Sequence, residues 1–297
     1  MRRAGAAAAL VTLSACGLFA DPGSYSADAG SDAAEQQPDA TLEDSGDAAT
    51  RDAPSDAVSD AVSDANEGAA IMDAEPCPGE AGPIAVRVGA FCIDRTEVTR
   101  GQYHRFVEAG VDAKAQPASC AWNATFVPVG GPLAPDLPVT YIDWCDAYAY
   151  CAWAGKRLCG AIGGGANDPA DYANAARSEW FHVCSHDNDG QHAYPYGPTY
   201  DNGLLCNDAN RDAGSVTAAG SLPGCQGGFP GVFDMSGNVW EWEDSCEAGA
   251  AEAGTDDACR LRGGPFNLGV ANTRCNVDHA NARTFATANV GFRCCSP

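Results

Sequence analysis

A chain of 297 residues with 40 acidic and 17 basic side chains carries a formal net charge of −23 and no clustered basic surface, which excludes nucleic acid as a partner. Its 45% hydrophobic content is enough for one large domain or two small ones. The fifteen cysteines call for an oxidising compartment or for metal ligation.

Residues 1–16 read as an export signal. Met1-Arg-Arg3 is positive, Ala4 to Val11 is apolar, and Leu13-Ser-Ala-Cys16 follows at once, a run too short to span a membrane as a mature helix. The end of this segment resembles the lipobox of bacterial lipoproteins, which implies that Cys16 becomes a lipidated N-terminus; an ordinary cleaved signal is the alternative. Removing Cys16 leaves fourteen cysteines, an even number suited to seven disulfides. Gly17, in place of Asp, resembles the sorting signal for the outer membrane in enteric bacteria. Residues 17–76 form the second segment. From Asp21 to Pro76 there are fifteen Asp or Glu against Arg51 alone, and all six Trp lie beyond it. Such a segment cannot bury enough apolar surface to offset chain entropy, and its charges repel, so it is expected to be an extended, disordered tether.

Residues 77–297 are the expected globular part. Alternating apolar residues predict a strand across Pro83–Asp94. Thr96-Glu-Val-Thr99 caps a helix running to about Ala109, with Tyr103, Phe106 and Val107 on one face. Asp143 caps a second helix in which Trp144, Ala147, Tyr148, Cys151 and Ala152 recur at steps of three and four, up to Gly155. The run from Asn174 to Cys184 predicts a third, shorter helix. Gly160-Ala-Ile-Gly-Gly-Gly165 opens no clear helix and reads as a loop rather than a phosphate cradle. After Val232 the period changes to two, and Val239-Trp-Glu-Trp242 fits a strand leaving a turn at Ser236-Gly-Asn238. The fold class is α+β with mostly irregular backbone. No paired C-x-x-C sets occur, so the cysteines are expected in disulfides rather than on metal, with Cys246 and Cys259 a plausible local loop.

Two further patterns carry chemistry. Asp234 and Glu241 stand seven apart across the glycine turn, so their carboxylates and the carbonyls between them could converge on a hard cation; alternatively Asp234 accepts turn N–H bonds and Glu241 faces solvent. His182 and His186, at i and i+4, could bind iron or zinc, or be surface residues without a third ligand.

Taken in order, Asp94-Arg-Thr-Glu-Val-Thr-Arg-Gly-Gln-Tyr-His-Arg-Phe106, Leu137-Pro-Val-Thr-Tyr-Ile-Asp-Trp144, Ala149-Tyr-Cys-Ala-Trp-Ala-Gly-Lys-Arg-Leu158, Tyr194-Pro-Tyr-Gly197, Gly231-Val-Phe-Asp-Met-Ser-Gly-Asn-Val-Trp-Glu-Trp242, Arg262-Gly-Gly264 and Gly291-Phe-Arg-Cys294 resemble the formylglycine-generating enzyme family. The resemblance implies a variant of the C-type lectin fold. It also implies a calcium bound by the side chains of Asp234 and Glu241 with the carbonyls of Gly237 and Val239, a pocket wall at Trp240, and the bridges Cys151–Cys294 and Cys184–Cys275. Enzymes of the family convert a cysteine in a Cys-x-Pro-x-Arg signature to formylglycine with oxygen and with copper held by two thiols, soft ligands that select Cu(I). In this chain the corresponding positions are Leu268 and Thr273, and the interval 265–273 holds no cysteine. The expectation is therefore a binding or accessory module at the cell envelope, facing a protein or glycan ligand, with calcium and without copper. A divergent formylglycine-generating oxidoreductase acting on exported sulfatases, or a histidine-metal enzyme of the same fold, are the alternatives.

Overall fold

The computed structural model describes residues 76–297 apart from 80, 131–133, 187–191, 212 and 252–253. The expected signal, the tether up to residue 75 and Cys16 lie outside the described residues.

Alternation over residues 83–94 yields two strands instead of one, β1 (Ala85–Val88) and β2 (Phe91–Asp94), paired antiparallel with Val88 opposite Phe91. The reversal falls at Gly89, whose φ of +56° is the left-handed conformation that a two-residue hairpin turn demands and glycine adopts without cost. Helix α1 (Arg100–Glu108) starts at Thr99, whose hydroxyl accepts the Gln102 N–H while the Gln102 side chain returns to the Thr99 N–H. Helix α2 (Trp144–Trp153) opens with the same reciprocal cap, formed here by Asp143 and Asp146.

The third helix is shorter than its pattern predicts. Asn174 turns the chain by accepting from Ala176, and Ser178 then caps α3 (Glu179–Cys184) through the Phe181 N–H. A capping serine in the middle of an apolar run moves the helix start, because its side chain offers the backbone a better partner than helix continuation does.

Two four-stranded sheets organise the domain. One orders β1-β2-β8-β3, with β3 at Arg157–Leu158 and β8 at Cys294–Ser296. The other orders β6-β5-β4-β7, with β4 at Trp240–Glu247, β5 at Ala258–Arg262, β6 at Ala280–Ala282 and β7 at Val290–Phe292; β4 and β7 run parallel. One core packs α1 and α2 on Trp240, Trp242, Val290 and Phe292, and a second packs Phe91, Ile93, Trp180, Val183 and Met235.

Seven disulfides staple these layers: Cys77–Cys92, Cys120–Cys145, Cys151–Cys294, Cys159–Cys295, Cys184–Cys275, Cys206–Cys225 and Cys246–Cys259. So many bridges are kept only in an oxidising compartment, which marks the folded domain as exported. Among the described residues no helix is long and apolar enough to cross a membrane.

The α2 cap predicts a pH dependence of stability. Burial, reinforced by the charge of Asp143, raises the Asp146 carboxyl from 3.8 to about 8, and burial raises Asp143 to about 6. Asn123 Nδ2 donates to Asp146 Oδ1 at 2.8 Å. The folded chain therefore holds protons that the unfolded chain has released, so this pair favours folding most below about pH 4 and progressively less as pH rises toward 8. In urea titrations across that range, Asp146→Asn is expected to flatten the decline; an unchanged slope would contradict this account.

Candidate functional site

The Gly231–Trp242 stretch feeds β4, and its alternation decides what faces what. Trp240 and Trp242 enter the first core, where Trp242 Nε1 donates to the Ile142 carbonyl at 2.9 Å. Glu241 and Glu243 point the opposite way and are fully buried. Each faces an arginine. Arg293 grips Glu241 with Nε at 2.7 Å and Nη2 at 2.6 Å, and Trp180 Nε1 donates to the same carboxylate at 2.8 Å. Arg262 Nε lies 3.4 Å from Glu243, which also accepts from the Ser178 hydroxyl at 2.7 Å. Arg293 further donates to the carbonyls of Asp94 and Phe233. Burial alone would lower its pKa, but the combined attraction of Glu241, Glu97 and Asp234 outweighs burial and the net shift is upward.

Asp234, at the head of the turn, is buried at a φ of +58° and accepts the Gly220 N–H through Oδ2 at 2.6 Å. Gly237 has a φ of +81°, and a Cβ there would meet the Asn207 carbonyl at 2.4 Å, so only glycine fits. Asn238 knits the turn together: Oδ1 accepts from Asn207 Nδ2 at 3.0 Å, and Nδ2 donates to Glu97 Oε1 at 2.8 Å. Glu97, ahead of α1, is fully buried and within hydrogen-bond reach of Asp234. Burial first, and the charge of Asp234 second, push its carboxyl well above the usual range; burial raises Asp234 to about 6.

Calcium, the ion implied by the resemblance, can be tested against these residues. Glu241 does not fit as a ligand, because both its oxygens are engaged by Arg293 and Trp180. Glu97 Oε2 and Asn207 Oδ1 are buried acceptors with no hydrogen-bond donor, and Glu97 lies within hydrogen-bond reach of Asp234. Among the described residues, no three His, Cys, Asp or Glu side chains close a cage on their own, so a cation here would rely on backbone carbonyl and amide oxygens as well.

The two positions that bear thiols in the resembled enzymes differ in setting. Leu268 is half-buried against the first core, and Thr273 is buried with its carbonyl accepting from the Ser236 hydroxyl at 2.6 Å. The segment that holds them folds back on its start: Gly264, at a φ of +72°, leaves 2.4 Å between the place of a Cβ and the Asn272 carbonyl. Trp240 is only 3% exposed, and the His279 ring stacks on it at 4.5 Å between centroids. A cavity of about 670 Å³ elsewhere is lined by Phe106, Val107, Lys114, Asn123 and Phe126, and by neither Trp240 nor residues 265–273.

Among the described residues, His182 and His186 belong to no group of three His, Cys, Asp or Glu that could hold a metal. Nδ1 of His182 pairs with the Ala175 carbonyl and Nδ1 of His186 with the Gly228 carbonyl, while both rings pack on Phe229. The structure links Cys151 to Cys294, Cys184 to Cys275 and Cys246 to Cys259. Sequence reading missed Arg262, Arg293, Trp180 and Glu97. The Trp-Glu-Trp-Glu alternation was the available signal, since a strand with two aromatics on one face and a core on each side must bury the glutamates on the other.

Over residues 53–296 the chain matches the sulfatase-modifying factor enzyme 1-like domain. The inactive C-alpha-formylglycine-generating enzyme 2 of Bos taurus is 32% identical over 177 residues, 54% of this chain and 50% of that protein, so the chain spans half the length of this relative. The formylglycine-generating enzyme of Thermomonospora curvata is 27% identical over 286 residues, 76% of this chain and 88% of the enzyme. A crystal structure of CarF aligns with a TM-score of 0.47 at 19% identity, over 74% of this chain and 96% of that one. With the match reaching across both sheets and the turn that joins them, the chain belongs to the sulfatase-modifying factor enzyme 1-like family, in an α+β, loop-rich and disulfide-stapled form.

Proposed function

We propose that this domain is a binding or accessory module, silent in formylglycine formation, that a lipidated Cys16 and an acidic tether hold at the cell envelope, where it meets a protein or glycan ligand. One observation carries the reading: each of the fourteen cysteines from Cys77 onward sits in a disulfide, and Leu268 and Thr273 stand where the resembled enzymes carry thiols. Cu(I) held by two thiolates needs sulfur donors that neither side chain has. The stacking of His279 on Trp240 and the closed 265–272 loop support the same reading, since a substrate peptide would have to displace both. Similarity to a protein named inactive in Bos taurus agrees with it.

The test uses the full chain expressed in a bacterium that processes lipoproteins. It is expected to fractionate with membranes while Cys16→Ala does not, and a Cys-x-Pro-x-Arg peptide incubated with it, copper and air is expected to keep its thiol mass. Conversion of the peptide, or stoichiometric copper uptake through free thiols, would overturn the silent reading; membrane retention of Cys16→Ala would overturn the anchor.

A further inference from the structure

We propose that the cavity beside α1 binds a single-chain amphiphile, an apolar body ending in one carboxylate that pairs with the Lys114 ammonium. Neither Trp240 nor residues 265–273 line this cavity, so its occupancy is independent of formylglycine chemistry. Its volume of about 670 Å³ falls in the range that holds small ligands. Phe106 and Phe126, both buried members of the first core, line it with their rings 5.0 Å apart between centroids. Val111 and Val127 also line it, and they stay 36% and 57% exposed, which leaves apolar surface in water that a ligand would remove. A second cavity of about 390 Å³ shares Val107 and Val127 with the first and reaches Pro135 and Val139, so the apolar surface continues past Val127.

The polar groups around the cavity decide the class of ligand. Most are already bonded within the protein. Gln116 Nε2 donates to the carbonyls of Ala113 and Asn123, and Asn123 Nδ2 donates to Asp146. Thr125 Oγ1 accepts the Val127 N–H, and Asp112 Oδ1 accepts the Lys114 N–H. Few groups remain to pair the many hydroxyls of a sugar or the N–H and C=O groups of a peptide, and burying those unpaired is unfavourable. Lys114 is the exception, because its ammonium has no hydrogen bond or ion pair among the described residues. The chain's other lysine, Lys156, is buried against Asp94. An apolar lining with one unpaired cation selects an apolar body with one anionic head. The lining is also preformed. Cys120–Cys145 fastens it to α2, and the Tyr103 hydroxyl donates to the Phe126 carbonyl at 2.9 Å, so a ligand would not have to order the segment it meets.

The experiment titrates decanoate and, separately, decanol into the full chain by calorimetry. The chain carries Cys16→Ala throughout, so that neither an acyl anchor nor detergent competes for the cavity. Saturable binding of one decanoate with a sub-millimolar Kd is expected, about tenfold or more tighter than that of the alcohol. Lys114→Met keeps the apolar stem, so it is expected to weaken decanoate about tenfold and to erase the preference for it over decanol. Val127→Asp, at an exposed wall position, should abolish binding of both. Leu204→Asp, at an exposed apolar residue outside the cavity, should change neither. Absence of saturable binding overturns the proposal, and so does a parent chain that binds decanol as tightly as decanoate. A Lys114→Met chain that keeps the full affinity for decanoate, or a Leu204→Asp chain that loses binding as Val127→Asp does, would also sink it.

Discussion

Replacing Arg293 by Met is expected to cost about 3–5 kcal/mol of folding stability, because it leaves Glu241 ionised in the core with Trp180 as its remaining donor. For a domain of this size that lowers Tm by about 6–20 °C, readable in thermal melts or as a shift of the urea midpoint. The expected size comes from the asymmetry between making and breaking a buried pair. Forming the pair has to overcome the desolvation of two ions, so its net contribution is small, whereas removing one partner leaves the full desolvation cost of the other uncompensated. Arg293 also donates to the Asp94 and Phe233 carbonyls, so its loss loosens the junction of β2 with the turn before β4. A control separates charge from packing. Arg293→Met combined with Glu241→Leu removes both ions and leaves the Trp180 N–H unpaired, a deficit of about 1–3 kcal/mol. The double variant should therefore be more stable than Arg293→Met alone; a loss below about 1 kcal/mol for the single change would show that Glu241 finds water or a proton in place of the guanidinium.

Deleting the two bridges of the C-terminal strand together should cost more than the two single deletions added. Cys151–Cys294 and Cys159–Cys295 tie adjacent residues of the last strand to positions eight apart, at the end of α2 and just past β3. Each bridge alone spans well over a hundred residues, with sequence separations of 143 and 136. Once one is present, however, the other closes a loop of only about nine residues, which is worth about 2–3 kcal/mol by chain entropy. With both absent and Cys184–Cys275 intact, the shortest route round the loop is about fifty residues, and the combined cost reaches about 6–7 kcal/mol. That is a large fraction of the 5–15 kcal/mol typical of a folded domain. Urea titrations of Cys151→Ala/Cys294→Ala, Cys159→Ala/Cys295→Ala and the fourfold variant test it. Equal and additive losses would mean that local packing, not loop closure, sets the value of these bridges.

Much of the fold is legible in the sequence where the signal is local. Thr99 with Gln102, and Asp143 with Asp146, announce the starts of α1 and α2 because a cap is decided by residues three apart. The same locality explains two shortfalls. Alternation over residues 83–94 is blind to the reversal at Gly89, since both arms of a hairpin keep period two. The apolar run ahead of Cys184 conceals the start of α3, which the side chain of Ser178 selects. Cysteine parity bears on the number of bridges but not on their partners: beyond the two bridges that the resemblance implies and the local Cys246–Cys259 loop, eight of the fourteen ends could be matched only in three dimensions.

By itself the sequence determined the class of the fold, the starts of α1 and α2, its oxidising surroundings and the want of sulfur at Leu268 and Thr273, all of which follow from composition, short-range spacing or an ordered set of motifs. Only the tertiary structure decided what the buried carboxylates do. Whether Glu241 meets a cation, solvent or Arg293 depends on a contact between residues 52 apart in the chain, and whether Glu97 lies against Asp234 depends on a contact across 137. Burial strengthens charge interactions and makes every unpaired group expensive, so the role of an acidic side chain is set by the neighbour the fold brings to it, and no pattern along the chain names that neighbour.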